Sequence, residues 1–303
     1  LLFSNFLKIK PRTKVPIYTD NPEVFLKSII AIWFKRAIAV PLNPKLPLSK
    51  KKELLVKIDC LEEFSAEVLS DIYKNFLRQK NKSQLTKTND KQEIINIGKT
   101  ELTLNTKAWG TIMFTSGSTG PEKAVVHSIA NHFFNALGAN EFMPLNPGDR
   151  WLLSLPLYHV GGLAIFFRIL LSGAAIVTPS EKVDIVENIE KYNITHLSLV
   201  PTQLYRLIKT KSGRDSLLKL KFILLGGDKV PFSLLQTSIK LGLKIRTTYG
   251  STEMASQVAT GKTDSYNILP FREARISPRN EIEVRGKTLF MGYYDQGKLY
   301  KPF

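Results

Sequence analysis

From residue 108 onward, short apolar runs alternate with amphipathic stretches. The runs at 111–114, 151–155, 174–178, 196–200, 222–225 and 244–249 are bounded by polar or glycine-containing segments, which predicts strands. The stretches between them, at 128–142, 163–171, 185–192, 203–209 and 231–241, predict helices. In the first, Ala130, Phe133, Phe134 and Leu137 recur at i, i+3, i+4 and i+7, marking one apolar face. Such alternation argues for a mainly parallel sheet covered by helices. Past residue 265 the helical pattern stops, and 281–285 and 288–294 read as strands, so the tail is expected to be β-rich. Residues 1–57 carry short apolar runs separated by prolines. There Pro22-Glu23 opens a predicted helix at 23–35. A strand is expected at 37–41 and a helix at 49–78, followed by a polar loop or linker at 79–92. No internal repeat is present.

Composition narrows the class. Of 303 residues, 43% are hydrophobic and 23% charged, which excludes a largely disordered chain. A chain of this length buries roughly three quarters of its extended surface and needs no covalent staples. The single cysteine, Cys60, excludes an intrachain disulfide framework and a multi-cysteine zinc site, and it fits a reducing, cytoplasmic setting. The apolar stretch 160–177 holds Arg168 at its centre and three glycines, so no membrane span is expected. The first residue is Leu1 and no signal segment precedes the core, which suggests a trimmed start. The net charge of +17 admits a polyanion partner. It comes from 31 scattered lysines against 12 arginines, however, and a lysine bias explains it without a nucleic-acid partner. A homo-oligomer is compatible with everything above.

Four segments carry chemistry, each placed just after a predicted strand. The first is Thr115-Ser116-Gly117-Ser118-Thr119-Gly120-Pro121-Glu122-Lys123. Its glycines allow close approach of the backbone, its hydroxyls and N–H groups suit phosphate oxygens, and Lys123 adds a charge. It lacks the Gly-Lys-Ser/Thr of a Walker loop, and an ordinary Ser/Gly turn is the plain alternative. The second is Tyr249-Gly250-Ser251-Thr252-Glu253, where Thr252 suits a phosphate and Glu253 suits Mg²⁺; a capped helix start would look similar. The third, Gly226-Gly227-Asp228, permits a flat base or sugar to approach, or merely makes a tight turn. The fourth, Pro156-Leu157-Tyr158-His159-Val160-Gly161-Gly162, offers a histidine. His127, His132 and His196 are expected to be structural. In open α/β sheets ligands bind at the carboxyl ends of strands, which is where all four segments fall.

Taken in order, these segments resemble those of the adenylate-forming enzymes, which include acyl-CoA synthetases, luciferases and peptide-synthetase adenylation domains. Residues 115–123 resemble the phosphate-binding signature of that family, 249–253 its Y-G-x-T-E motif and 226–229 its adenine-facing turn. Residues 280–286 followed by Met291-Gly292-Tyr293-Tyr294 resemble its G-E-I-x-V-R-G…M-x-G-Y-Y segment. Within the family, 195–207 (THLSLVPTQLYRL), 123–128 and 153–162 are similar to the o-succinylbenzoate–CoA ligase branch of menaquinone biosynthesis. Four departures stand out. Glu122 lies where proline is usual, Ala124 where glycine is commoner, Asp228-Lys229 where small residues are usual, and Asn280 where glycine usually opens the segment.

The resemblance implies an α/β fold: the large N-terminal domain of these enzymes, with two mainly parallel helix-covered sheets and a β-rich lobe. Residues 1–245 would form two packed α/β lobes and 246–303 the β-rich lobe of the same domain. The small C-terminal domain of the family would be absent, so the chain is expected to continue past Phe303 in the native protein and to turn over poorly as it stands. The implied reaction activates a carboxylate with ATP and Mg²⁺ as an acyl-adenylate, then transfers the acyl group to CoA. Ser116, Gly117, Ser118, Thr119, Gly120 and Lys123 would hold the β- and γ-phosphates, with Thr115 also at the nucleotide, and Thr252 would touch the α-phosphate. Thr119 and Glu253 would serve the metal. Tyr249, Gly250, Ser251, Gly226, Gly227 and Asp228 would surround the nucleotide. His159 would gate the acyl pocket, with Tyr158, Gly161 and Ser198 lining it. Arg168 or Arg206 could meet a second carboxylate. A synthetase for a different acid and a non-catalytic adenylate-binding protein are the alternatives.

Overall fold

The computed structural model describes residues 9–60, 106–115, 121–179, 183–262 and 265–302. The chain divides into two compact units, Leu1–Ile112 and Met113–Phe303.

In the first unit, strand β1 (Lys14–Ile17) leads through helix α1 (Pro22–Phe34) to β2 (Ile38–Pro41), which runs parallel to it with Lys14 opposite Ile38. Helix α1 starts where its sequence says it should. The Asn21 side chain accepts hydrogen bonds from the backbone N–H groups of Glu23 (3.0 Å) and Val24 (3.1 Å), and Pro22 needs no partner at the first turn. Strand β3 (Trp109–Phe114) pairs in parallel with β2 through Ala39 opposite Thr111. The Trp33 indole of α1 donates to the Gly110 carbonyl at 2.7 Å. The helix expected over 49–78 is shorter among the described residues: α2 (Leu48–Lys57) ends in a turn at Ile58 and Asp59, where Asp59 has a φ of 49°. Residues 61–78 lie outside the described set, as does the linker expected at 79–92.

In the second unit, β4 (Ala124–Ser128) runs directly into α3 (Ile129–Phe142). The main sheet is built from β5 (Arg150–Leu152), β6 (Ala175–Val177), β7 (His196–Leu199), β8 (Phe222–Leu225), β9 (Ile245–Ser251), β10 (Ser256–Gly261) and β11 (Tyr266–Ile268), in the order β11-β10-β9-β8-β7-β5-β6. Its strands from β6 to β9 are parallel, as the alternating pattern requires; β10 and β11 are antiparallel. Helices α4 (Val160–Ser172), α5 (Ile185–Lys191), α6 (Pro201–Lys209), α7 (Lys211–Lys219) and α8 (Phe232–Lys240) connect them. Leu197, Leu199, Ile223 and Leu225 are fully buried beneath Leu204, Leu217, Leu234 and Leu235 from the helices. Each such side chain contributes ~1.5–3 kcal/mol through burial.

Beyond these, β12 (Arg272–Ile276) and β13 (Ile282–Gly286) form a hairpin. Asn280 takes a φ of 60° in its turn, a conformation asparagine tolerates, which accounts for its standing in place of glycine. Strand β14 (Gly292–Asp295) lies antiparallel to both β4 and β15 (Lys298–Tyr300). The strand expected at 288–294 therefore begins only at Gly292. Just before it, the N–H groups of Phe290 and Met291 bond to the carbonyls of Glu253 and Val126, at 2.7 and 2.8 Å.

The apolar face expected on α3 is not its buried face. Leu137 is 40% exposed and Ala130, Phe133 and Phe134 are half-buried, while Asn131, His132, Asn135 and Ala136 are buried. The asparagines face inward because they find partners there. Asn131 donates to the carbonyls of Lys287 (2.8 Å) and Leu289 (3.0 Å), and Asn135 to those of Met254 and Gln257 (both 3.0 Å). Among the described residues no helix is long and apolar enough to cross a membrane.

Candidate active site

The first candidate loop is tied at its base. Thr115 N–H donates to the Lys123 carbonyl and Lys123 N–H to the Thr115 hydroxyl, both at 3.1 Å. Ser116, Gly117, Ser118, Thr119 and Gly120 lie outside the described residues. The exposed Lys123 ammonium sits 5.1 Å from the centroid of the Tyr293 ring, within range of a cation–π attraction. The Tyr293 hydroxyl in turn donates to Glu253 Oε1 at 2.8 Å.

Thr252 and Glu253 occupy a short 3₁₀ turn just beyond β9. The turn is held by its carbonyls. That of Glu253 accepts from Phe290 N–H, and that of Thr252 lies 2.7 Å from His127 Nε2. Burial draws the His127 imidazole down to about 4, so it is neutral near pH 7. A carbonyl can only accept, so Nε2 carries the proton. His127 was expected to be structural; it is, and the structure it supports is the Thr252-Glu253 turn.

A cavity of about 650 Å³ opens at the carboxyl ends of β8 and β9, lined in part by Gly227, Asp228, Thr248, Tyr249 and Gly250. Gly226 backs it, with the position of a Cβ 2.3 Å from Thr248 Cγ2, and Gly227 has a φ of 86°. A Cβ at Gly226 would displace Thr248 and one at Gly227 would be strained, so the backbone path favours the Gly-Gly pair. Tyr249 is 42% exposed, its ring available to a planar ligand. Ser251 pairs with Ser256 across β9 and β10.

None of the residues expected at an acyl pocket, Tyr158, His159, Gly161 and Ser198, is among those lining this cavity. Tyr158 and His159 pack with ring centroids 4.6 Å apart at the start of α4. Gly161 has open space where a Cβ would stand, with only Leu155 Cδ1 at 3.6 Å, whereas Gly162 packs against the Pro156 carbonyl. The Ser198 hydroxyl is buried and has no hydrogen-bond partner among the described residues. Arg206 is exposed on α6. Arg168 is 1% exposed. Its Nη2 donates to Gln257 Oε1, its guanidinium carbon lies 5.2 Å from the Trp151 ring centroid, and Nε and Nη1 have no hydrogen-bond partner. Burial first, and Arg272 second, push its pKa down to about 9. Gln257 Nε2 continues the chain to Thr248 at 2.8 Å, on the cavity wall. Gln257, Arg272 and Asn135 do not stand out in the sequence, and Tyr293 does so only within the 291–294 segment and with no role attached, because each acts through partners distant in the chain.

Among the described residues there is no cluster of three or more metal-ligating side chains. Mg²⁺ in a nucleotide site is held by one or two protein carboxylates together with phosphate oxygens. Glu253 fits the part: Tyr293 occupies Oε1, and no described residue bonds Oε2.

Comparison with known proteins bears on this geometry. The 2-succinylbenzoate–CoA ligase of Salmonella typhimurium is 42% identical over 189 residues, 61% of this chain and 40% of that protein. The enzyme of the same name from Staphylococcus aureus (strain MSSA476) is 29% identical over 308 residues, 94% of this chain and 62% of that protein. The solved structure of wild-type E. coli MenE with a bound m phenylether-linked analogue of OSB-AMS matches with a TM-score of 0.75 at 28% identity, covering 99% of this chain and 64% of that one. The chain thus spans between 40% and 64% of the length of these relatives. A match to AMP-binding enzymes runs through residues 3–294 and takes in each strand-end loop described above: the chain belongs to the AMP-binding enzyme family.

Proposed function

We propose that the protein to which this chain belongs is an AMP-forming acid–thiol ligase. It activates o-succinylbenzoate with ATP as an acyl-adenylate and passes the acyl group to CoA, in the cytoplasm. The observation that carries the substrate is Arg168, a buried guanidinium with two unpartnered nitrogens beside the β9–β10 pair. A buried, incompletely bonded cation is unfavourable unless a ligand completes it. An aromatic acid with a second carboxylate supplies such a partner, and the E. coli relative holds an OSB-AMS analogue. Of the two arginines considered from sequence, exposed Arg206 lacks this character.

The chain's own groups would divide the work. The first carboxylate attacks the α-phosphorus of ATP, and pyrophosphate leaves. Lys123 and the 115–120 loop stabilise charge on that leaving group. Thr252, fixed by His127, orients the α-phosphate, and Glu253 holds the metal. Mg²⁺, when bound, neutralises phosphate charge. Tyr249, Gly226, Gly227 and Asp228 seat the adenine. Tyr158, His159, Gly161 and Ser198 bound the acyl group, with the unpartnered Ser198 hydroxyl offering a donor. CoA thiolate then displaces AMP.

The test is acid-dependent exchange of pyrophosphate into ATP by the full-length protein with Mg²⁺. Exchange with o-succinylbenzoate, and not with benzoate, a fatty acid or an amino acid, is the expected result. Exchange with another acid only would keep the chemistry and discard the substrate; none with any acid would discard the enzyme.

A further inference from the structure

We propose that Tyr293 is a positioning residue that presents Glu253 and keeps Lys123 from pairing with it. This rests on the adenylation reading above, in which Lys123 meets phosphate and Glu253 meets the metal. The two opposite charges meet the same side chain, one at its ring and one at its hydroxyl. Lys123 stands 5.1 Å from its centroid, and Glu253 Oε1 is 2.8 Å from its hydroxyl. Yet neither charge is in an ion pair among the described residues. Left in contact, an ammonium and a carboxylate would satisfy each other and have to be separated for every nucleotide bound. The phenol prevents this with a neutral partner for each, its ring face for the cation and its hydroxyl for the anion.

Tyr293 is itself fixed. It is 8% exposed and sits in β14 with Val125 opposite on one side and Tyr300 on the other. The Phe290 ring packs edge-on at 4.8 Å. Phe290 also bonds the Glu253 carbonyl, so backbone and side chain of Glu253 are gripped from the same segment. With Oε1 held, Oε2 is the oxygen left for a metal. Hydrogen-bonded partners of this kind typically strengthen metal binding ~10–100-fold.

The test uses the full-length protein with a non-hydrolysable ATP analogue. Mn²⁺ is titrated in and read by electron paramagnetic resonance, and binding of the analogue without metal is measured separately. Tyr293→Phe removes the hydroxyl and keeps the ring. It should weaken Mn²⁺ binding about tenfold while leaving metal-free nucleotide binding within about twofold. Tyr293→Leu removes the ring as well and should weaken both. Unchanged Mn²⁺ affinity in Tyr293→Phe overturns the proposal. So does equal loss of both affinities in that variant, which would mark a merely structural residue. If the wild type binds no metal–nucleotide at all, it is the adenylation reading that fails.

Discussion

Replacing Arg168 with methionine should make the protein more stable and less able to use its acid. The guanidinium is 1% exposed, and its only side-chain hydrogen-bond partner among the described residues is Gln257. Its pKa is drawn down to about 9, by burial first and by Arg272 second. At ~1.36 kcal/mol per tenfold change, burial and Arg272 together disfavour the charged form by about 5 kcal/mol. The contact with Trp151 returns ~1–2 kcal/mol of this. Methionine fills much the same space without the charge, and exchanges of this kind commonly stabilise by ~1–4 kcal/mol. Urea unfolding of the wild type and Arg168→Met, without ligand, should show a gain in that range. Adding the dicarboxylate should raise only the wild type, by ~2.7 kcal/mol at 100 times its Kd, which offsets most or all of the variant's gain. A ligand-free variant less stable than the wild type would refute the reasoning, since the arginine would then be fully compensated within the protein. A variant that still distinguishes the dicarboxylate would refute the assignment of the pocket.

Acid should loosen the fold through its buried histidines. Burial pulls His127 and His196 from 6.5 to about 4. Between those values the unfolded chain takes up protons that the folded one refuses, so stability falls as pH drops through the window. Each contributes up to ~3 kcal/mol, and His196→Phe should flatten the fall of the thermal midpoint between pH 7 and 4; an unchanged slope would contradict this. Gly162→Ala puts a Cβ 2.1 Å from the Pro156 carbonyl and should cost several degrees of thermal midpoint, whereas Gly161→Ala meets only Leu155 at 3.6 Å. The latter should fold as well as the wild type and change the relative rates with an acid panel, and wild-type selectivity would place Gly161 outside the pocket. Asn135→Leu takes its donor from the Met254 carbonyl, at ~1–3 kcal/mol, while the Gln257 carbonyl keeps Arg272 Nη1, and hydrogen exchange should show the 252–257 segment opening first.

The parallel sheet was legible in the sequence. Strand β8 matches its apolar run residue for residue, and β7 falls one residue short of the expected end. Buried parallel strands are apolar on both faces, so a short run between turn signals suffices. Helix α7 was not legible: its sequence, KSGRDSLLK, buries Leu217 as its only large apolar side chain and begins on the Thr210 cap. Nor was the inward face of α3, because periodicity assigns asparagine to solvent when no long-range acceptor is known. The strand-end loops stood out through glycine and hydroxyl content, which are local properties. Gln257 and the parts played by Tyr293 and His127 did not, since each acts on a group 9 to 125 residues away.

The asparagine face of α3 has a consequence for a chain emerging from the ribosome. Asn135 must wait for Met254, 119 residues later, and Asn131 for Leu289, 158 residues later. At ~5–20 residues per second, the shorter interval lasts about 6–24 s. Throughout it the helix shows water two amides that water can satisfy, where a leucine or phenylalanine face would offer other nascent chains something to stick to. The face that later grips the 252–257 segment is therefore harmless while it stands open, and it is covered only when the last strands arrive.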